Sequence, residues 1–204
     1  MNFSSKGENN MSKVLLIIDV QNDFINGVLG SSEAKAAVPN IKQLIENFNG
    51  EILAVTRDEH ITDIHEEVTV ERRKLPLHCM RGSNGAKIEE SIYKTLQSVT
   101  RHWWYTIEKS TFGAVNDLIE FFDGFGDCDS IDTVEICGLC TDICVLNNAL
   151  IARNLLPHAE IIVYSNCCAG STPENHEAAL KILQSNLIEV KEFNPIEYNF
   201  EIGF

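Results

Sequence analysis

Three cysteines fall close together in the stretch EICGLCTDICVLNNAL, residues 135–150: Cys137, Cys140 and Cys144. Thiols so spaced could form a metal knot, a redox pair or a nucleophile. A closed structural zinc site takes four ligands from paired loops, and Cys137 sits inside an apolar run that reads as a strand, which argues against one. A redox C-x-x-C usually has its first cysteine at a helix start, whereas Cys137 and Cys140 straddle Gly138 before any helix begins. Cys144 is placed differently. With Thr141 as N-cap, Asp142, Ile143 and Cys144 become the first helical residues, where free N–H groups and the helix dipole favour a thiolate. The same N–H groups could hold an oxyanion. The plain alternative is a small buried cysteine.

Two more residues bear on the choice. LLIIDVQNDF ends an apolar run on Asp19, either a solvated cap or a base aimed into a cleft, and TIEKSTFGAV does the same with Lys109, which alone reads as a surface lysine. Together with Cys144 they make a sensible chemical set. Asp19 would take the thiol proton, Lys109 would stabilise negative charge on thiolate and carboxylate, and Cys144 would attack an acyl carbon. A second group lies in RDEHITDIHEEVTVERRKLPLHC, residues 57–79, which carries Asp58, His60, His65 and His78. Asp58 and His60, two apart on an extended segment, point the same way. A further histidine could complete a facial metal set with positions open to water or substrate; an acid-rich loop with scattered histidines can equally be a solvated surface.

The elements that must position these residues are legible as runs. KVLLIIDV (13–20), EILAVTRD (51–58), YTIEKS (105–110), TVEICGL (133–139), EIIVYS (160–165) and LIEVKEF (187–193) are apolar without alternation, as strands buried on both faces are. Between them lie helical spacings: Val38, Ile41, Leu44, Ile45 and Phe48; Ile143, Leu146 and Leu150; Ala178, Leu180, Ile182 and Leu183. Pro157 stops the second of these. STPENHEAAL opens the third with a Ser or Thr cap, Pro173 in the first turn and Glu174 near the capping-box position. The alternation predicts a three-layer α/β/α fold around a parallel sheet. Residues 58–86 are too long and irregular for a plain connection and read as a functional loop. Ligands of such sheets bind beyond the carboxyl ends of the strands, and Asp19, Asp58, Lys109 and the cysteine stretch all end predicted strands.

Composition narrows the partners. A chain of 204 residues, 44% apolar, can bury a full core as one domain; we expect that domain over 13–204, after a flexible N-terminal extension at 1–12. A formal charge of −14, with RRK at 72–74 as the one dense basic run, argues against nucleic acid and fits a small uncharged or mildly polar substrate. No apolar run suits a membrane span and the polar start has no secretory core, so a cytoplasmic protein is expected. Seven cysteines, an odd number in a chain too large for a disulfide scaffold, are expected as reduced thiols.

The strand-end Asp of IIDVQNDF, the Lys of EKSTFGA and the block GLCTDICV resemble the isochorismatase-like cysteine hydrolases. DEH followed by LPLHC resembles their nicotinamidase branch, and the likeness runs from about Lys13 to Val190. The resemblance implies a six-stranded parallel sheet of order 3-2-1-4-5-6 and a triad of Asp19, Lys109 and Cys144. It also implies a cis peptide at Leu139–Cys140, an unusual bond outside proline, that turns the Cys140 N–H toward the oxyanion beside the N–H of Cys144. By the same likeness a divalent ion, zinc first and otherwise iron or manganese, sits on Asp58, His60 and His78, with Glu71 a further acidic member. His65 is left at the surface, Cys79 packs structurally, and no organic cofactor is implied. Phe24 and Phe112 match pocket positions, while Leu75 stands where many members of the branch have an aromatic wall. The implied activity is hydrolysis of nicotinamide to nicotinate and ammonia through a Cys144 thioester, in NAD salvage. The alternatives are another small amide or a non-catalytic relative. A small-molecule amide is the expected partner, neither nucleic acid nor membrane is, and the expected assembly is a homo-oligomer.

Overall fold

Runs of Val, Leu and Ile with no polar face leave their strands nowhere to go but the middle of a layered fold. In the computed structural model, which describes residues 12–62, 68–99, 103–124 and 130–200, six such runs form one parallel sheet. Its strands are β1 (Ser12–Ile18), β2 (Ile52–Asp58), β3 (Trp103–Lys109), β4 (Ile131–Leu139), β5 (Glu160–Ala169) and β6 (Glu189–Lys191). They lie in the order β3-β2-β1-β4-β5-β6, as expected. Strand order reverses between β1 and β4, and Asp19 follows the one while Cys140 and Cys144 follow the other. The register of β2 on β3 sets Asp58 beside Lys109, so two of the expected site residues are neighbours before any side chain is considered.

The helices among the described residues are α1 (Asn22–Ile25), α2 (Ser32–Asn47), α3 (Val70–Lys74), α4 (Glu90–Ser98), α5 (Val115–Asp123), α6 (Leu146–Leu155), α7 (Pro173–Ser185) and α8 (Pro195–Phe200). Alternate residues of β1 serve opposite faces. Leu15 and Ile17 pack with Ile41, Leu44 and Ile45 of α2 and with Ile92 and Leu96 of α4. Val14, Leu16 and Ile18 pack with Leu118 and Phe122 of α5, Ala149 of α6 and Leu183 of α7. Each of the Val, Leu, Ile and Phe side chains among these, fully removed from water, stabilises the fold by about 1.5–3 kcal/mol. Close packing of β1 on β4 at their upper ends needs Gly138: its φ is +125°, and a Cβ there would lie 2.1 Å from the Ile18 carbonyl oxygen.

Of the Ser or Thr expected to cap α7, Thr172 does so, its hydroxyl accepting from the Asn175 N–H at 3.1 Å. Thr172→Ala should cost about 1 kcal/mol, readable as a small fall in the midpoint of urea unfolding.

Several boundaries differ from expectation. β3 begins at Trp103 and β5 runs on to Ala169, past a register shift against β4 between Ile136 and Gly138. The helix expected to start from a Thr141 cap instead opens as a π-helical turn, Thr141–Val145, capped by Cys140, and becomes α-helical at Leu146. The Cys140 carbonyl accepts from both the Ile143 and the Val145 N–H, each at 3.1 Å, and the second bond is the wide one. Residues 58–86 contain α3 and are pinned by a parallel bridge between His60 and Met80. β1 starts at Ser12; the rest of the expected extension, His65 and Cys128 lie outside the described residues.

Candidate active site

Asp19 leaves β1 with φ +47°, a conformation Asp tolerates better than most residues, and this turns its carboxylate over the sheet end. The Thr56 hydroxyl donates to Asp19 Oδ1 at 2.6 Å and accepts from the Asp19 N–H at 3.1 Å. Lys109 Nζ lies 2.7 Å from Asp19 Oδ2, 3.3 Å from Asp58 Oδ1 and 3.7 Å from Cys144 Sγ. All of these groups are buried. Charges so placed are tolerated only when paired, and the single ammonium answers both carboxylates.

The electrostatics follow from that arrangement. Burial raises the Asp19 pKa, and Lys109 pulls it only part of the way back. Burial works against a charged Lys109, but the Asp19 and Asp58 carboxylates outweigh it and hold the ammonium protonated. Burial and the Asp19 carboxylate push the Cys144 thiol well up, with Lys109 opposing them. The direction fits the expected role of Asp19 as the base that takes the thiol proton. Loss of water outweighs the backbone at this depth, so the resting group is a thiol and needs a base at the moment it attacks.

Beyond Lys109 the same carboxylate of Asp58 turns to two imidazoles. His60 Nε2 lies 3.0 Å and His78 Nε2 3.2 Å from Asp58 Oδ2, and Glu71 Oε1 is 3.8 and 3.6 Å from the same two nitrogens. One ligand atom from each of the four falls within 4.8 Å of every other. His78 Nδ1 is 2.8 Å from the Pro76 carbonyl and donates there, so Nε2 is the nitrogen that faces the cluster; without a metal it donates to Asp58, and a bound metal would take the place of that proton. Burial acts to raise Asp58, yet hydrogen bonds from His60 and His78, with Lys109, hold it far below the carboxylate range. Burial opposes charging His78, but Asp58 and Glu71 overcome it and lift its pKa to about 10. Once the two imidazoles give up their protons, the cluster offers two nitrogen and two oxygen donors at a spacing that fits a divalent transition metal.

Asp58 is itself held by a residue that the sequence reading passed over. Gln21, fully buried, accepts from the Asp58 N–H at 2.8 Å and donates to the Asp58 carbonyl at 2.7 Å and the Ala86 carbonyl at 2.9 Å. Gln21→Leu leaves these backbone groups without partners and should cost about 2 kcal/mol. Elemental analysis should also find less metal retained. Thr56 under Asp19 was missed in the same way, as was Asn148, which donates to the Cys144 and Phe112 carbonyls at 2.8 and 3.2 Å and accepts from the Ala114 N–H at 2.9 Å. None of the three stands alone in an apolar stretch: Gln21 precedes Asn22 and Asp23, Thr56 precedes Arg57 and Asp58, and Asn148 follows Asn147, so the local sequence offered no signal for them.

A cavity of about 190 Å³ joins the two halves. Cys140 and Cys144 line it, as do Asp58, Glu71 and His78, and the expected pocket residues Phe24, Leu75 and Phe112 wall it together with Leu29, Ile143 and Ser171. The Phe24 ring meets the His78 ring edge-on at 5.6 Å. The Leu139–Cys140 peptide is cis, as expected. Cys137 and Cys79 are fully buried, and the described cysteines are all free.

The fold and a buried acid, lysine and thiol at its switch point define an α/β/α hydrolase. The chain belongs to the isochorismatase family, matching the isochorismatase domain over residues 13–192. It is 29% identical to the nicotinamidase of Schizosaccharomyces pombe, over 89% of this chain and 94% of that protein. Among solved structures it resembles nicotinamidase from Bacillus subtilis at 29% identity and TM-score 0.74, over 89% of this chain and all of the other. It also resembles pyrazinamidase of Pyrococcus horikoshii in complex with zinc at 25% identity and TM-score 0.71, over 89% and 99% of the two chains.

Proposed function

We propose that this chain hydrolyses nicotinamide to nicotinate and ammonia. The observation that carries the reading is the meeting of the Cys144 thiol, the Asp58, Glu71 and His78 side chains and three apolar walls in one small cavity. A flat ring suits such walls. The likeness to nicotinamidases supports the substrate.

In this reading Asp19 takes the Cys144 proton as sulfur attacks the carboxamide carbon, and the N–H groups of Cys140 and Cys144 receive the oxyanion. Lys109 holds the charge on Asp19 and on sulfur. Asp19 returns its proton to the leaving ammonia, then deprotonates the water that cleaves the thioester. The raised pKa of Asp19 suits a group that must both take and give a proton near neutrality. Asp58, His60 and His78, with Glu71, would hold a divalent ion, zinc first and otherwise iron or manganese; when bound it supplies a Lewis-acid anchor for a ring nitrogen. No organic cofactor is required.

We also place the protein in the cytoplasm, in salvage of the nicotinamide ring, as a homo-oligomer. Free cysteines suit a reducing compartment, and no described helix is long and apolar enough to cross a membrane. One specific observation favours a second reading, another small amide: the wall at Leu75 is aliphatic and conformable.

Ammonia release from a panel of amides tests both. The purified protein should yield ammonia and nicotinate from nicotinamide, carry a divalent metal by elemental analysis and slow when treated with chelator. Ammonia from a different amide and none from nicotinamide would reassign the substrate; full activity in a metal-free preparation would remove the metal set from the mechanism.

A further inference from the structure

The π-turn that carries Cys144 is gripped by residues 171–176, of which Ser171 reaches the wall of the cavity described above and His176 does not line it. Thr141, fully buried and three residues before Cys144, has its hydroxyl 2.8 Å from Nδ1 of His176, in the first turns of α7. The next residue, Asp142, accepts from the Ser171 N–H at 2.7 Å and from the Ser171 hydroxyl at 2.5 Å. Consecutive residues of the turn are thus bonded to the two ends of residues 171–176. The approach is tight: a Cβ at Gly170 would stand 2.8–2.9 Å from the backbone and Cβ of His176. His176 also lines a separate cavity of about 380 Å³ between α2 and α7, so its ring spans from that cavity to the nucleophile turn.

A π-turn has a wider and poorer hydrogen-bond pattern than an α-helix, and its exact course depends on what grips it. We propose that His176 is a positioning residue for the hydrolysis, setting through Thr141 where the Cys144 sulfur and the N–H groups of its turn stand, with the Asp142–Ser171 pair as the second fixed point. The inference rests on the reading of Cys144 as nucleophile. Small displacements of an attacking atom or an oxyanion donor lower the rate with little effect on substrate affinity. A buried Thr141 hydroxyl deprived of its partner supplies the reason to shift.

The test compares His176→Ala, His176→Asn, Thr141→Val and the double variant His176→Ala/Thr141→Val. Two readouts are taken: kcat and KM on nicotinamide, and the rate at which iodoacetamide alkylates Cys144, followed by mass. His176→Ala and Thr141→Val should each lower kcat about tenfold, with KM within about a factor of two and alkylation of Cys144 altered in parallel. His176→Asn, whose amide can set a polar atom near the place of Nδ1, should recover most of the rate. The double variant should lose no more than the worse single one, since both remove the same bond. Wild-type kcat and alkylation rate in His176→Ala, or summed losses in the double variant, would overturn the proposal. If the wild-type protein releases no ammonia from nicotinamide, the substrate reading fails, and the alkylation series still decides the role of His176.

Discussion

Cys144→Ala should abolish ammonia release, with a fall in kcat on the order of a millionfold, the scale on which removal of a catalytic nucleophile acts, while the bound metal stays in place. The two parts of that expectation have separate causes. The sulfur lines the cavity and stands 3.7 Å from Lys109 Nζ, beside a carboxylate whose pKa burial has raised, and no other described thiol shares these features. The donors of the metal set are Asp58, His60, Glu71 and His78, none of which touches the change. Steady-state ammonia assays and elemental analysis on the same preparation read both parts. A rapid quench of the wild-type enzyme should in addition trap an acyl group on Cys144, which the variant cannot form. Activity within a few fold of wild type, at unchanged metal content, would remove Cys144 as nucleophile and leave the non-catalytic alternative for its turn.

The parts of this site that were legible in the sequence share one property: their signal is local. Asp19 and Lys109 stand out because each is a charge at the end of an apolar run, and a buried parallel sheet leaves strand ends as the place for such residues. Asp58 and His60 stand out by their i, i+2 spacing. His78 and Glu71 were not assignable from spacing alone and came from a family resemblance; the fold brings them to the same point by pinning His60 to Met80 across the loop. Gln21, Thr56 and Asn148 left no comparable trace. Each satisfies backbone or carboxylate groups 34 to 65 residues away, and nothing in the neighbouring sequence encodes a partner so distant.

The same distinction separates the elements. β1, β2 and β4 were plain because each carries buried apolar side chains on both faces: residues 14–18 in β1, 52–55 in β2, and Val134, Ile136, Cys137 and Leu139 in β4. The helices α4 and α5 were missed because each is nine residues long with two or three buried positions, too short to hold together without the sheet beneath it. The π-turn at Thr141–Val145 lay beyond a capping argument, since any cap residue can precede either kind of turn and the choice is made by tertiary bonds to Asp142 and Thr141. The protonation of Cys144 follows the same distinction. Position at a helix start is a local feature, whereas loss of solvent is a property of the assembled layers.

Lys109→Met should damage both stability and turnover, and the two losses have one origin. The substitution keeps the length and apolar stem of the side chain and removes only the charge that faces Asp19 at 2.7 Å and Asp58 at 3.3 Å. Two carboxylates then share a buried site without a cation between them. Breaking a buried pair by deleting one partner costs about 4 kcal/mol, so the urea midpoint should fall sharply. Asp19 can relieve the repulsion by taking a proton, because burial and Asp58 already raise its pKa and Lys109 is the main force opposing them. Asp58 is less able to do so, being held low by His60 and His78. A protonated Asp19 cannot accept the thiol proton at neutral pH, and turnover should fall with it. Lys109→Arg separates charge from fit. It restores the cation, so most of the stability should return, but a planar guanidinium cannot take the place of a compact ammonium among two carboxylates and a sulfur, and turnover should stay low. Urea unfolding and ammonia release measured on both variants would check this, and wild-type turnover in Lys109→Met would show that Asp19 needs no cation to act as the base.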